Sequence, residues 1–283
     1  MTPNEVTVSV DWLYDNRYEE TIVIIDGSWH LPPAGRDASA EFTSEHIPDA
    51  IFFDIDKHSD QTSPLPHMMP SAEQFGNEMG ELGISENCTI VVYDTHGLFS
   101  AARVWWMFKQ FGASKVFVLD GGLKAWKGAG YPVESGIKKR TPKVFNAQRN
   151  DSYTIDLDNM KTAVHERNAL ILDARGADRF NGKAPEPRPG LRSGHMPGAV
   201  NLPYPRLLDE NGVLKQPHEL EDVVKSVGFE AVKTTIATCG SGVTAAIIVL
   251  ALARLGYQET LLYDGSWSEW GATEDAPVTS SES

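Results

Sequence analysis

The sequence predicts an α/β protein of two similar domains, each with a mainly parallel β-sheet flanked by helices. The length of 283 residues suits about two domains of ordinary size. Short apolar runs rich in β-branched residues alternate with helical patterns, as expected for parallel strands that are covered on both faces. Four landmark motifs also occur twice along the chain in the same order, which predicts a duplicated domain.

The duplicated motifs set the expected domain limits. The repeated features are an apolar strand that ends on aspartate, a His-x-Pro motif, a glycine between apolar residues and an Asp-Gly motif. The matched pairs are Asp26 and Asp173, His46 and His195, Gly83 and Gly228, and Asp120 and Asp264. We predict one domain over residues 1–138 and a second over residues 154–283. Residues 139–153 are polar and lack hydrophobic periodicity, so they are predicted to be a linker.

Six apolar runs are predicted strands, and two longer apolar segments are predicted helices. The strands are Thr21–Asp26, Thr89–Tyr93, Val116–Leu119, Leu170–Asp173, Thr234–Thr238 and Thr260–Tyr263. The helices are Ala101–Phe111 and Thr244–Leu255. The second helix is expected to end at Gly256, because glycine favours the left-handed conformation that closes many helices.

Composition excludes several classes of partner. The net charge of −14 would repel phosphate backbones and anionic lipid, so neither nucleic acid nor a membrane surface is an expected partner. The longest apolar run, Ala245 to Ala253, is too short to span a bilayer. The N-terminal residues show no export or organelle signal. The chain has 2 cysteines, which suits a reducing compartment, so we expect a cytoplasmic protein.

The loop after the strand Thr234–Thr238 carries the clearest chemical signal. Cys239 follows the strand directly, and Gly240 and Gly242 let the next residues curl so that backbone N–H groups point at the sulfur. The following helix adds the positive end of its dipole. Both effects favour a thiolate and would stabilise a persulfide anion, so Cys239 is the predicted nucleophile. Cys88 opens a strand without such a loop and is predicted to be structural.

Other chemistries for this loop fit less well. A phosphatase loop needs arginine at the sixth position after the cysteine, where this chain has Ala245. The loop also fits a dinucleotide-binding glycine pattern, with Asp264 ending the next strand, but only 19 residues follow that aspartate. His58, Asp60 and His67 lie close in sequence without a metal-ligand spacing. We therefore expect no metal and no organic cofactor.

Motifs along the whole chain carry a family resemblance. The most specific is Cys239-Gly-Ser-Gly-Val-Thr244; the others include Glu45-His-Ile-Pro, Phe52-Phe-Asp-Ile-Asp56, Thr62-Ser-Pro, His67-Met, Trp105-Trp106, Glu186-Pro-Arg188 and Gly194-His-Met-Pro-Gly198. With them the chain resembles the tandem-rhodanese sulfurtransferases of the thiosulfate/mercaptopyruvate group, and 3-mercaptopyruvate sulfurtransferases in particular. The resemblance implies two rhodanese-like domains, of which only the C-terminal one is catalytic. Ungapped alignment of the copies agrees, since it places Thr95 opposite Cys239 with Asp94 beside it.

The resemblance also implies roles for individual residues. Cys239 is matched to the nucleophile, and Ser241, His67 and Asp56 are matched to a proton relay. Residues matched to substrate binding are Arg179, Arg188, Gly240, Gly242, Val243 and Thr244. The two arginines suit the carboxylate and carbonyl of a 2-oxo acid. Structural roles are expected for Arg175 and Arg192 and for the tryptophans. The paired residues His46 and His195 and Asp26 and Asp173 are expected to tie their loops to the sheet.

The expected reaction is sulfur transfer in two half-reactions. Cys239 attacks the sulfur of 3-mercaptopyruvate, pyruvate leaves as its enolate, and an acceptor then removes sulfur from the Cys239 persulfide. Expected acceptors are cyanide, a small thiol or a thioredoxin-like dithiol. Two alternatives stay open: a thiosulfate sulfurtransferase of the same fold, and a non-catalytic persulfide carrier. Gly240, Ser241 and Gly242 supply no cation for thiosulfate, which favours mercaptopyruvate as the donor.

Overall fold

The computed structural model describes residues 5–231 and 233–280. The chain divides into two compact units. The first consists of Met1–Thr62, Met69–Asn150 and Glu210–Val213, and the second of Ser63–Met68, Asp151–Asp209 and Leu214–Ser283. His67 therefore counts with the second unit although it precedes residue 138. The domain limits 1–138 and 154–283 stay a prediction.

The first unit contains a five-stranded sheet in which all neighbouring strands are parallel. Its strands are β1 (Thr7–Val8), β2 (Ile22–Asp26), β3 (Ile51–Phe52), β4 (Thr89–Tyr93) and β5 (Lys115–Leu119), in the order β1-β5-β4-β2-β3. Its helices are α1 (Val10–Asn16), α2 (Ala38–Ser44), α3 (Ala72–Glu81), α4 (Ala101–Gln110) and α5 (Gly122–Gly128). Because the strands are parallel, their carboxyl ends meet at one edge of the sheet.

The second unit repeats this arrangement element by element. Its strands are β6 (Thr154–Ile155), β7 (Leu170–Asp173), β8 (Val200–Asn201), β9 (Thr235–Thr238) and β10 (Leu261–Tyr263), in the parallel order β6-β10-β9-β7-β8. Its helices are α6 (Leu157–Glu166), α7 (Ala177–Phe180), α8 (Pro217–Ser226), α9 (Ala245–Arg254) and α10 (Ser266–Trp270). The equivalent strand orders confirm the predicted duplication.

Local sequence explains where many helices begin. Four of them start after a serine or aspartate whose side chain accepts the N–H of the residue three positions on: Ser9 before α1, Asp37 before α2, Ser71 before α3 and Asp156 before α6. The repeated glycines explain where α3 and α8 end. Gly83 and Gly228 follow these helices with φ of +77° and +79°, a conformation that glycine adopts without a side-chain clash.

The predicted elements agree with the structure to within one residue at each end. The elements that the apolar pattern missed are mainly the two-residue strands and the amphipathic helices, which lack a long buried run. α9 is the most apolar helix, and residues 245–253 are all buried. Gly256 follows it with φ of +92°, as predicted. Among the described residues, no helix has both the length and the apolar character needed to cross a membrane.

The repeated histidines and tryptophans are structural, as expected. Nδ1 of His46 donates to the Phe42 carbonyl at 2.7 Å, and Nδ1 of His195 donates to the Phe180 carbonyl at 2.8 Å. Each imidazole also stacks on that phenylalanine ring. The histidines thus fasten their loops to a helical segment rather than to the sheet. The tryptophans of the motifs and of the two Asp-Gly segments are buried: Trp105, Trp106, Trp126, Trp267 and Trp270.

The repeated aspartates are buried in both copies but differ in their partners. Asp173 is bound by the guanidinium of Arg175, with an Nη2–Oδ2 distance of 2.7 Å. The equivalent neighbour of Asp26 is Ser28, whose backbone N–H donates at 2.9 Å and which brings no charge. Burial therefore raises the pKa of Asp26 to about 6, although its hydrogen bonds with Ser28 oppose this change. Only the second copy compensates the buried carboxylate with a cation.

This difference predicts opposite effects of two matched substitutions. Because the pKa of Asp26 is higher in the folded state, its protonation favours folding below about pH 4, and this contribution disappears as the pH rises through about 6. Asp26→Asn should therefore raise the free energy of unfolding at pH 7.5 by up to about 3 kcal/mol and flatten its pH dependence between pH 4 and 6. Urea denaturation across this pH range measures both effects.

Asp173→Asn is the matched control at the equivalent strand end. It leaves the fully buried Arg175 with one of its two counter-charges, so the unfolding free energy should fall by about 3–5 kcal/mol. Equal destabilisation by both substitutions would contradict the electrostatic difference between the copies.

Candidate active site

Cys239 lies at the carboxyl end of β9 and is 2% exposed. Residues 240–244 form a tight loop that leads directly into α9. Within this loop Gly242 has φ of +74°. The loop is held by the start of α10. The N–H of Trp267 donates to the Cys239 carbonyl at 3.0 Å, and the N–H and hydroxyl of Ser268 both donate to the Gly240 carbonyl, at 2.9 and 2.7 Å. The predicted strand, glycine loop and helix are therefore present.

The position opposite Cys239 in the first copy is Asp94 rather than Thr95. β4 ends at Tyr93 and β9 at Thr238, and each of these residues pairs with the repeated aspartate of the neighbouring strand. The carbonyl oxygens of Asp94 and Cys239 both accept a backbone N–H from the residue three positions into the following Asp-Gly motif, at 3.1 and 3.0 Å. The ungapped alignment was wrong by one residue, because the first-copy loop before its helix is one residue longer.

In the first copy this loop surrounds a carboxylate. Asp94 is fully buried, and its oxygens accept the backbone N–H groups of His96, Phe99 and Ala101 at 2.9, 2.7 and 2.9 Å. These donors come from the loop and from the first residue of α4. A residue at this position thus lies where several N–H groups converge on an anion.

The equivalent donors in the second copy are the N–H groups of Ser241, Val243 and Ala245. Ser241 is two residues after Cys239, as His96 is after Asp94, and Ala245 begins α9 as Ala101 begins α4. Within residues 5–231 and 233–280, these three N–H groups have no protein acceptor. Cys239 therefore occupies the position at which the first copy holds a buried anion.

The structure brings together two of the three residues that were matched to a proton relay. Nδ1 of His67 lies 3.0 Å from the hydroxyl oxygen of Ser241, and His67 is 3% exposed. Its φ of +62° is unusual for a residue with a side chain. Asp56 belongs to the first unit, where its carboxylate accepts the indole N–H of Trp29 at 2.9 Å. The part of Asp56 in a relay stays a prediction.

Arg179 lies directly against the loop. A Cβ placed on Gly240 would lie 3.0 Å from Nη2 of Arg179, so glycine leaves room for the guanidinium. Glu186 binds Arg179 through one carboxylate oxygen and Arg175 through the other, with an Oε1–Nη1 distance of 2.7 Å to Arg175. Arg188 follows two residues later and is half-buried. Arg179 and Arg175 thus flank a buried glutamate.

The expected structural arginines have structural partners. Arg175 is fully buried between Asp173 and Glu186 and lies over the ring of Trp267, 4.2 Å from its centre. Burial lowers the pKa of Arg175, but the two carboxylates outweigh this effect and raise it overall. Arg192 donates to four backbone carbonyls, those of Trp270, Gly271, Thr273 and Ala276.

Cys88 is buried, with Nζ of Lys143 at 4.0 Å from its sulfur.

Sequence reasoning missed two residues that shape the site. Glu186 was noted only as part of a motif, although its ion pairs with Arg175 and Arg179 orient both side chains. Ser266 was not singled out, yet its hydroxyl accepts the N–H groups of Cys239 and Gly242 at 3.3 and 3.1 Å. The signal for Ser266 was the change from Asp120-Gly-Gly in the first copy to Asp264-Gly-Ser in the second.

Comparison with known proteins covers both copies. The rhodanese-like domain family matches residues 9–129 and 156–273. The 3-mercaptopyruvate sulfurtransferase of Escherichia coli K12 is 45% identical over 272 residues, which cover 96% of each chain. Thiosulfate/3-mercaptopyruvate sulfurtransferase 1, mitochondrial, of Arabidopsis thaliana is 40% identical over 304 residues, covering 100% of this chain and 80% of the relative.

Similarity extends to solved structures. The crystal structure of SseA from Escherichia coli, described as a 3-mercaptopyruvate sulfotransferase with the rhodanese fold, matches with a TM-score of 0.86 at 42% identity. The match covers 93% of this chain and 99% of SseA. Because one domain family matches twice and full-length relatives share this level of identity, the chain belongs to the rhodanese-like family as a tandem member homologous to the 3-mercaptopyruvate sulfurtransferases.

Proposed function

We propose that this protein is a sulfurtransferase that moves sulfur from 3-mercaptopyruvate through a persulfide on Cys239 to a thiol or cyanide acceptor. The observation that carries the proposal is the loop around Cys239. The N–H groups of Ser241, Val243 and Ala245 correspond in position to those that bind the Asp94 carboxylate in the first copy. Such donors stabilise the negative sulfur of a thiolate or of a terminal persulfide.

In the first half-reaction the Cys239 thiolate attacks the sulfur of 3-mercaptopyruvate. A bond forms between the two sulfur atoms, the carbon–sulfur bond breaks, and its electron pair leaves with carbon as the enolate of pyruvate. Protonation of the enolate gives pyruvate. In the second half-reaction an acceptor thiolate or cyanide attacks the outer sulfur and restores the Cys239 thiolate. No external oxidant or reductant is consumed in either step, and the mechanism is of the ping-pong type.

The contact between His67 and Ser241 suits the proton transfer that the first half-reaction needs. The imidazole and the hydroxyl lie 3.0 Å apart, and Ser241 is two residues from the nucleophile. A histidine can pass a proton through a serine hydroxyl to a carbon or oxygen of the departing enolate. Asp56 is proposed to orient His67 in this relay.

Arg179 and Arg188 are proposed to hold the carboxylate and carbonyl of the donor, beside the loop residues Gly240, Gly242, Val243 and Thr244. Planar guanidinium groups bind carboxylates through paired hydrogen bonds. The contact of Arg179 with the position of Gly240 brings this recognition close to Cys239. Glu186 fixes Arg179, so its charge is directed before a donor arrives.

Thiosulfate is the second candidate donor, because Arg179 places one cation next to the loop. The loop itself contributes no cation, so a compact dianion bound at the loop lacks a counter-charge there. A non-catalytic persulfide carrier is the third candidate. A thioredoxin-like dithiol is a proposed acceptor, and the cytoplasm is the proposed compartment.

We expect Cys239→Ser to abolish pyruvate formation from 3-mercaptopyruvate while the melting temperature stays close to that of the wild type. Serine lacks the nucleophilic sulfur on which the persulfide forms. Mass spectrometry of the protein after incubation with the donor should show added sulfur on Cys239 in the wild type only.

Cys88→Ser is the matched control, since Cys88 is also buried but lies outside the loop. It should keep wild-type turnover. Substantial activity in Cys239→Ser, or its loss in Cys88→Ser, contradicts the assignment of the nucleophile. A stable persulfide without pyruvate turnover in any acceptor assay would favour the carrier.

His67→Ala should lower kcat for pyruvate formation by about ten- to a thousandfold, because the enolate then takes its proton from water. The second half-reaction needs no such proton, so sulfur transfer from a preformed persulfide to cyanide should change much less. Stopped-flow measurement of each half-reaction separates the two effects. If His67→Ala lowers only the melting temperature and leaves both rates unchanged, His67 fastens its segment and is not a relay.

Arg188→Ala should reduce kcat/KM for 3-mercaptopyruvate about ten- to a hundredfold, the effect of losing one charge-assisted contact. The wild type should prefer this donor strongly over thiosulfate. The measurement is kcat/KM for both donors with one common acceptor.

Arg206→Ala provides the control, because Arg206 is exposed and binds only the hydroxyl of Ser226 among the contacts described for it. Gly240→Lys would add a cation but crowds Arg179, so its expected gain in thiosulfate use comes with a loss of mercaptopyruvate use. If kcat/KM of the wild type for 3-mercaptopyruvate is equal to or lower than that for thiosulfate, the donor assignment is wrong, while Cys239 remains the nucleophile.

A further inference from the structure

We propose that Ser266 is a positioning residue whose hydroxyl sets the loop around Cys239 in its sulfur-binding conformation. The inference rests on the proposed sulfur transfer through Cys239, which it deepens. Ser266 begins α10 and is fully buried beneath the loop. Its hydroxyl contacts the backbone N–H groups of Cys239 and Gly242, and it has no place in the reaction itself.

Four hydrogen bonds connect the hydroxyl of Ser266 to its surroundings, one of them accepted from the hydroxyl of Thr238 at 3.4 Å. It donates to the carbonyl of Tyr263 at 2.8 Å, at the end of β10. It accepts the N–H of Cys239 at 3.3 Å and the N–H of Gly242 at 3.1 Å. One oxygen atom therefore fixes both ends of the turn from Cys239 to Gly242 against a strand of the sheet. The N–H groups of Cys239 and Gly242 donate to Ser266, so those of Ser241, Val243 and Ala245 stay available for a sulfur anion on Cys239.

Ser266 has an unfavourable backbone conformation, and its hydrogen bonds to the loop offset this cost. Ser266 has φ of +48°, a left-handed value that side chains disfavour. The first copy has Gly122 at this position, with φ of +55°. A Cβ on Gly122 would lie 2.1 Å from the Asp94 carbonyl oxygen, so no side chain fits there. Only the copy that contains Cys239 has a hydroxyl at this point.

The two copies organise the same loop by different means. In the first copy the Asp94 carboxylate binds three N–H groups permanently and so anchors its loop from within. Cys239 cannot do this, because its sulfur changes between thiolate, disulfide-like transition state and persulfide during the proposed reaction. An anchor that does not react is therefore needed outside the sulfur site. Ser266 supplies it.

The test is Ser266→Gly, which installs the first-copy residue, suits the positive φ and removes the hydroxymethyl group. We expect kcat for 3-mercaptopyruvate to fall about ten- to a hundredfold with KM changed less than threefold, because the N–H groups lose their alignment while Arg179 and Arg188 stay in place. The melting temperature should stay within a few degrees, since relief of the backbone strain offsets the lost hydrogen bonds. Alkylation of Cys239 by iodoacetamide should slow relative to Cys88 in the same molecule.

Ser268→Ala is the matched control. It also removes a buried hydroxyl that contacts the loop, but the N–H of residue 268 still donates to the same Gly240 carbonyl. Its kcat should stay within twofold of the wild type. Ser266→Ala is a second variant that lacks the hydroxyl and keeps the strain. Equal loss of kcat in both Ser266 variants assigns the effect to the hydroxyl.

The role of Ser266 is wrong if Ser266→Gly keeps the kcat of the wild type. It is also wrong if the loss of activity is fully explained by the fraction of the variant that is unfolded. These outcomes are distinct from a failure of the proposed function. If the wild type forms neither pyruvate nor a Cys239 persulfide from 3-mercaptopyruvate, sulfur transfer itself is wrong.

Discussion

The loop between a parallel strand and the next helix is the feature on which both copies are built, because its backbone N–H groups can bind a buried anion at the strand end. Burying an anion is unfavourable unless hydrogen-bond donors surround it, and the backbone N–H groups between a strand and the next helix can supply them. In the first copy the anion is the Asp94 carboxylate, which is part of the fold. At the equivalent position the second copy has Cys239, whose sulfur can take and release a sulfur atom. The same backbone device thus serves structure in one copy and proposed chemistry in the other.

Around this device the copies share backbone features and differ in charge. The Asp26 carboxylate has a serine neighbour and a raised pKa, whereas Asp173 is compensated by Arg175. Arg175 leads to Glu186, and Glu186 leads to Arg179 at the loop. The second copy therefore carries an alternating row of charges from the sheet to the proposed donor site. This row keeps a guanidinium beside Gly240 without leaving an uncompensated buried charge.

Much of the fold around Cys239 could be predicted, because short apolar runs and repeated glycines are compatible with few alternative structures. The sequence alone predicted the strand before Cys239 and the helix after it to within one residue, and the left-handed glycine after α9. It placed Thr95 opposite Cys239, because an ungapped alignment cannot register one inserted residue within a loop. The role of Ser266 depends on a positive φ and on contacts to two N–H groups. Neither follows from residue type, and so the change from Gly122 to Ser266 had no evident meaning beforehand.

The complete burial of residues 245–253 has a consequence for the motions of the protein. A helix with no solvent-exposed face over these residues has little freedom to fray or swing outward without exposing the apolar core of its unit. The donors at its first turn therefore form part of the most protected region of the fold. Hydrogen exchange in α9 will require opening on the scale of the whole unit, and any local adjustment during turnover falls to the loop and to the side chains around it.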